Sequence, residues 1–138
     1  IDAVNERLYH RFNSGVYRAG FATTQIAYNK AVHDVFDSLD FIERRLDEQD
    51  FLVANRLTEA DVRVFVTLVR FDSAYYGLFK TNLRRVSDYP NISEYIRRIY
   101  DLPGVADTVN TDHIKTGYYS IRALNPSGIV PVGPAVQW

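Results

Sequence analysis

The 138-residue chain has no cysteine, no methionine, a single tryptophan and no excess of either charge. Without cysteine it holds no disulfide framework, no thiol nucleophile and no thiolate metal site, so any thiol chemistry must come from elsewhere. Sixteen basic against seventeen acidic residues leave a net charge of -1, and no global field draws in nucleic acid or anionic lipid. The arginine pairs Arg44-Arg45, Arg84-Arg85 and Arg97-Arg98 read as solvated helix faces beside acids. No stretch approaches the roughly 18 apolar residues of a membrane span, and the start Ile1-Asp2-Ala3-Val4-Asn5-Glu6 lacks the layout of a signal peptide. His10, His33 and His113 lie far apart with no partner at i+3 or i+4, so no metal site is expected. There is no glycine-rich phosphate loop and no Gly-x-Ser-x-Gly elbow. The lack of methionine, even at position 1, leads to the expectation of a chain that is processed, truncated or excised from a longer polypeptide.

What is present is apolar and aromatic: 46% of residues are hydrophobic and 14% aromatic, enough for the core of one domain. Val4, Leu8 and Phe12 follow Ile1 at helical spacing until Asn13-Ser14-Gly15, where a pause is predicted. From about Thr23, Ala27, Ala31, Val35, Leu39, Ile42 and Leu46 define a long second helix. Asp88-Tyr89-Pro90-Asn91 opens another, with Pro90 tolerated in its first turn and Ile92, Tyr95, Ile96, Ile99 and Tyr100 on one face. Pro103-Gly104 ends it. Short helical turns are predicted at Val105 to Val109 and Asp112 to Ser120. Beyond them Asn125-Pro126, Gly128, Pro131, Gly133 and Pro134 leave an extended arm carrying Ile129, Val130, Val132 and Trp138. The expected fold class is an all-α bundle with an irregular C-terminal arm.

The segment after Thr58 is ambiguous by pattern, since Val62, Val64, Val66 and Leu68 alternate as a strand would. Leu57-Thr58-Glu59-Ala60-Asp61-Val62 decides for a helix. Thr58 stands at the N-cap and Asp61 at N3, a capping box, while Leu57 and Val62 occupy the positions of a hydrophobic staple. On that helix Glu59, Arg63, Thr67 and Arg70 form a thin polar stripe, and the remainder predicts a helix inside the bundle with Asp61 turned inward. Thr58 and Asp61 therefore read as structural.

Ten tyrosines are present. Tyr17 follows the predicted pause and Tyr118 precedes the arm, places that line clefts. A phenol is a neutral donor at pH 7, suited to an oxygen that gains negative charge.

Leu57-Thr58-Glu59-Ala60-Asp61 with Tyr89-Pro90-Asn91-Ile92 strongly resembles the helical C-terminal domain of glutathione transferases. Asn13 to Gln25 (NSGVYRAGFATTQ), Thr67 to Asp72 (TLVRFD), His113-Ile114-Lys115 with Tyr118-Tyr119, and Asn125-Pro126 followed by Ile129-Val130-Pro131 and Gly133-Pro134 resemble the xi class, the glutathionyl-hydroquinone reductases. The resemblance covers essentially the whole chain. It departs at Ser14, where many relatives have Asn.

That resemblance implies a cytoplasmic, generally dimeric, two-domain enzyme. Its N-terminal thioredoxin-like domain would carry the nucleophilic Cys and bind most of the glutathione co-substrate; with no catalytic residue here, these 138 residues alone are expected to be inactive. By motif position Tyr17 and Tyr118 correspond to the family's substrate-site tyrosines for a quinone-derived substrate, with Phe21 and Tyr119 as weaker candidates for the same wall. The alternative from another class is a non-catalytic scaffolding module, since related helical domains serve assembly in translation factors and synthetase complexes.

Overall fold

Helix α1 (Asp2–Leu8) does not stop where Asn13 and Ser14 predict a pause. In the computed structural model, which describes residues 1–136 and 138, it runs through a π turn, Tyr9–Asn13, into α2 (Gly15–Gly20). The Ser14 N–H reaches back five residues to the Tyr9 carbonyl at 2.8 Å. The physical reason lies on another helix: the Asn13 amide donates to the Arg63 carbonyl at 2.8 Å and to Thr67 Oγ1 at 2.7 Å. One extra residue in the turn rotates all that follows by about 100° relative to α1.

Helix α3 (Gln25–Leu46) begins two residues after the predicted start, with the Thr24 hydroxyl accepting from the Ala27 N–H at 3.1 Å. It buries Ala31, Val35, Leu39, Ile42 and Leu46, as the spacing requires, but leaves Ala27 exposed. Arg18 and Arg11 reach the buried Asp34 carboxylate at 3.3 and 3.4 Å, joined by Lys30 at 3.5 Å. Burial alone would raise the Asp34 pKa; Lys30, Arg18 and Arg11 together outweigh it and hold the group below the usual carboxylate value.

Helix α4 (Glu59–Arg70) starts at the capping box, which is in place. Its carboxylate half is the stronger: Asp61 Oδ2 accepts from the Thr58 N–H at 2.8 Å, with the Thr58 hydroxyl 3.5 Å away. Asp61, fully buried, also accepts at Oδ1 from the Leu52 N–H at 2.9 Å and from the Tyr95 hydroxyl at 2.7 Å. A bare buried carboxylate would be costly; this one is surrounded by donors from three segments.

The prediction of a helix enclosed on nearly all sides is corrected. Val62 and Val66 are 53% and 43% exposed, as is Leu57 at 44%, while Thr67, assigned to the polar stripe, is buried under the Asn13 amide. The helix is interior on the Val64, Phe65, Leu68 and Val69 side only.

Past Arg70 the chain enters a second π turn, Phe71–Tyr75, and then the single helical turn α5 (Tyr76–Leu78). Asp72, buried within it, accepts from the N–H groups of Val86 at 2.7 Å and Ser87 at 3.2 Å, clamping the following loop. Helix α6 (Pro90–Tyr100) has Pro90 in its first turn, as predicted. Its free N–H groups are capped from α3, where the Glu43 carboxylate takes Asn91 at 3.0 Å and Ile92 at 2.9 Å.

A 3-10 turn at Ala106–Thr108 leads to α7 (Thr111–Tyr119), whose N-cap Asn110 accepts from the His113 N–H at 3.1 Å. The arm follows without regular structure, tied down by the Lys115 ammonium on the Val132 carbonyl at 3.0 Å and by the Asn125 amide on the Tyr119 and Ile129 carbonyls. No strand occurs among the described residues, and no helix is long and apolar enough to cross a membrane. The fold class is all-α, as predicted.

Because Asp61 ties the preceding loop, the cap and α6 together, Asp61→Ala is expected to cost at least about 3 kcal/mol. Tyr95→Phe, which removes one donor, costs about 1 to 2 kcal/mol, and Thr58→Ala about 0.5 to 2 kcal/mol. Urea denaturation at neutral pH orders the three; an Asp61→Ala protein as stable as its parent contradicts the hub.

Candidate functional site

Three tyrosines that are distant in sequence meet at one end of the bundle. Tyr17 is carried by α2, Tyr75 closes the second π turn, and Tyr118 lies in the last turn of α7. The Tyr17 and Tyr118 hydroxyl oxygens stand 2.6 Å apart, those of Tyr75 and Tyr118 2.8 Å, and those of Tyr17 and Tyr75 3.5 Å. Both π turns thus deliver a member of the cluster.

The rings are fixed by packing around Phe79. Tyr75 stacks on it at 5.2 Å between centroids, and Tyr17, Tyr118 and Phe21 meet it edge-on at 5.1, 6.0 and 5.7 Å. Gly20 permits this: a Cβ there would stand 2.4 Å from the Phe79 ring. Beneath, the Thr81 hydroxyl donates to the Tyr75 carbonyl at 2.8 Å. On the outer side of α2, Arg18 bridges the His10 carbonyl and Asp34, which steadies the turn preceding Tyr17.

Exposure differs sharply within the trio. Tyr75 is 3% exposed, Tyr118 is partly buried and Tyr17 is 40% exposed. Burial is the main cause that raises the Tyr75 pKa, and its hydrogen bonds to Tyr118 and Tyr17 raise it further. Tyr118 is also raised, again by burial first and by Tyr17, while the Tyr75 hydroxyl and the nearby Arg70 pull it down. Both phenols are therefore neutral donors through the neutral range.

Tyr118 also lines a groove of about 760 Å³, which runs between α4 and the segment from Leu102 to Ile121. Val62, Val66, Val69, Ile114 and Arg70 give it apolar walls with one cation near the phenols. The geometry suits an aromatic ring with an oxygen that can receive a hydrogen bond.

Of the four residues singled out by sequence, the structure brings Tyr17, Tyr118 and the half-exposed Phe21 to this corner. Tyr119 goes elsewhere. One position on from Tyr118, it turns its hydroxyl to Gly77, where a Cβ would lie 2.5 Å away, and lines a separate hollow with Leu78 and Ile129 of the arm. Sequence reasoning missed Tyr75 and Phe79. Their i, i+4 spacing was visible, but Tyr75-Tyr76 reads equally well as core, and nothing local marks a π turn. Among the described residues no group of histidines and carboxylates is placed to hold a metal.

Comparison with known proteins gives this corner its context. The pattern of the family described as Glutathione S-transferase, C-terminal domain, matches residues 25–98. The chain belongs to that family. It is 54% identical over 136 residues to the glutathionyl-hydroquinone reductase PcpF of Sphingobium chlorophenolicum, covering 98% of this chain and 44% of that protein. Among solved structures, it superimposes on the glutathione-bound YqjG, a glutathione transferase homolog from Escherichia coli K-12, with a TM-score of 0.96 and 47% identity, over 99% of this chain and 44% of that one. The xi glutathione-S-transferase of Phanerochaete chrysosporium gives 0.93 and 50%, over 96% and 46%. The chain spans less than half the length of these relatives.

The buried phenols make a pH prediction. Tyr75, Tyr95 and Tyr118 all have raised pKa values in the fold, chiefly through burial, whereas in the unfolded chain they ionise near 10.0. Above that pH the unfolded chain binds fewer protons than the folded one, so the stability present below it is lost as pH rises. The urea midpoint is expected to drop between about pH 8 and about pH 11, and Tyr75→Phe to shrink that drop. An undiminished drop in Tyr75→Phe contradicts the assignment of this titration to the buried phenol.

Proposed function

We propose that this chain is the electrophile-binding helical half of a glutathione-dependent enzyme that reduces glutathionyl-hydroquinones. The observation that carries the reading is the Tyr17–Tyr118 pair, two phenols 2.6 Å apart beside an apolar groove wide enough for an aromatic ring. Kinship with proteins named for that activity supports it, as does the lack of any cysteine in a chain related to thiol-using enzymes.

In this reading the nucleophilic Cys and most of the glutathione site belong to an N-terminal thioredoxin-like domain of the same polypeptide. Leu57, Val62 and Val66, half-exposed along one wall of the groove, are apolar surface of the kind that such a domain covers, with the Tyr118 end left for the ring. The whole enzyme is a cytoplasmic dimer acting on a quinone-derived substrate.

The Cys thiolate attacks the sulfur of the adduct and the C–S bond breaks. In the keto tautomer of the adduct the C–S electron pair flows toward the carbonyl oxygen, restoring the aromatic ring as a phenolate that then takes a proton. A second glutathione thiolate resolves the enzyme mixed disulfide, giving glutathione disulfide and the free Cys. What this chain supplies is hydrogen bonding: the Tyr17–Tyr118 pair, its oxygens 2.6 Å apart, presents a phenolic donor that stabilises the charge as it develops on a ligand oxygen. Phe21 and Phe79 contribute ring surface and hold Tyr17 at its angle.

In the full-length polypeptide, Tyr17→Phe and Tyr118→Phe are each expected to lower kcat by about tenfold or more with little change in melting temperature. The 138 residues alone turn nothing over. Steady-state reduction of a glutathionyl-hydroquinone reads both: unchanged kinetics in both variants reassign the tyrosines to packing, and turnover by the isolated segment removes the need for an external Cys. A longer polypeptide that folds and binds glutathione yet shows no reduction favours the scaffolding alternative.

A further inference from the structure

We propose that Tyr75, buried behind Tyr17 and Tyr118, is a positioning residue whose hydroxyl donates to Tyr118 from the inside and so directs the one outer phenolic proton of the pair toward the ligand oxygen. The inference rests on the function proposed above and assigns to it a residue that touches no substrate.

The argument begins with proton counting. Each phenol has one hydrogen to donate and can accept. The hydrogen-bond partners of the Tyr75 hydroxyl are the other two phenols, Tyr118 at 2.8 Å and Tyr17 at the longer 3.5 Å. With the residue 3% exposed, bulk water does not compete, and the shorter contact takes its proton to Tyr118.

Two arrangements of the remaining protons are then possible across the 2.6 Å Tyr17–Tyr118 contact. Either Tyr118 donates to Tyr17 and Tyr17 donates outward, or Tyr17 donates to Tyr118 and Tyr118 donates outward. Both leave one proton for the ligand and keep the acceptor side of the pair inside the protein. A chain of hydrogen bonds that all run one way strengthens each member.

As a ligand oxygen draws the outer proton toward itself, negative charge appears on the donating phenol, and Tyr75 supports it directly where Tyr118 is the donor and through Tyr118 where Tyr17 is. Its own proton stays in place because burial raises its pKa above that of an ordinary tyrosine, whereas its hydroxyl acts on Tyr118 in the opposite sense, lowering it. The ring alone does not account for the residue: phenylalanine would give the same stack on Phe79 and the same edge contact to Phe71. The hydroxyl is the part that needs a role, since burying one is unfavourable unless it is bonded.

The experiment is a double-mutant cycle in the full-length polypeptide with a glutathionyl-hydroquinone as substrate, comparing Tyr75→Phe, Tyr118→Phe and the pair. Tyr75→Phe is expected to lower kcat by about five- to tenfold with KM changed by less than about twofold, and to have no further effect when Tyr118 is already Phe. An unchanged kcat, or an equal loss in both backgrounds, overturns the proposal in favour of packing. The second arm does not require activity: tyrosinate absorbance after a stopped-flow pH jump, read before unfolding, follows Tyr118 by difference from Tyr118→Phe. Removing the Tyr75 hydroxyl is expected to raise the Tyr118 midpoint by roughly one pH unit; a midpoint that stays or falls overturns the proposal. Parent protein that folds but fails to reduce the adduct defeats the function reading, and the absorbance arm then decides on Tyr75.

Discussion

The Asp61 carboxylate is the constraint on which the rest of the bundle depends. Its two oxygens accept from Leu52, Thr58 and Tyr95, which belong to the loop after α3, the cap of α4 and the middle of α6. Each bond to a charged acceptor in a buried site is stronger than a neutral one, and none of the three segments can shift without leaving the charge unsatisfied. The start of α4 is thereby fixed in position and in rotation. Everything downstream along that rod, including the π turn and Tyr75, inherits its register from this point.

Two rods of the fold carry the same device. α1 and α4 each pass from buried packing into one wide turn, which precedes Tyr17 in the first case and ends on Tyr75 in the second. A regular helix would keep Tyr17 and Tyr75 in the phase set by the core residues before them; an added residue changes that phase by about 100°. The turns are held by polar groups reaching other elements, Asn13 onto α4 and Asp72 onto the loop before α6. The core thus determines the site through its departures from periodicity as much as through its apolar pattern.

This explains which parts could be read from sequence. Thr58 and Asp61 announced α4 because capping is a matter of four consecutive residues, and α3 was clear because six apolar positions recur at intervals of four and three. Tyr17 and Tyr118 stood out by motif and by place in the chain. The π turns did not, because their cause lies across space: Asn13 looks like a breaker until Thr67 is opposite it. The cap of α6 was hidden for the same reason, since Glu43 lies 48 positions from Asn91. The exposed Val62 and Val66 misled in the other direction, since an apolar residue facing a groove has the same pattern as one facing a core.

Why phenols stand at this corner follows from the chemistry they would serve. A lysine or arginine beside the ligand would hold a phenolate in the ground state as tightly as in the transition state, which lowers KM without raising kcat. Under the proposed function a neutral phenol is matched to the hydroquinone oxygen because the two are the same functional group, so the proton is shared most evenly when the ligand oxygen is becoming anionic. Arg70, a cation close to Tyr118, is turned back onto the Val66 carbonyl at 2.7 Å, so part of its donor capacity is spent on its own helix. Arg70 lowers the Tyr118 pKa without displacing the phenols as donors. A field from a distance and a neutral donor in contact together favour developing charge over charge already formed, and that is the discrimination a reductive C–S cleavage requires.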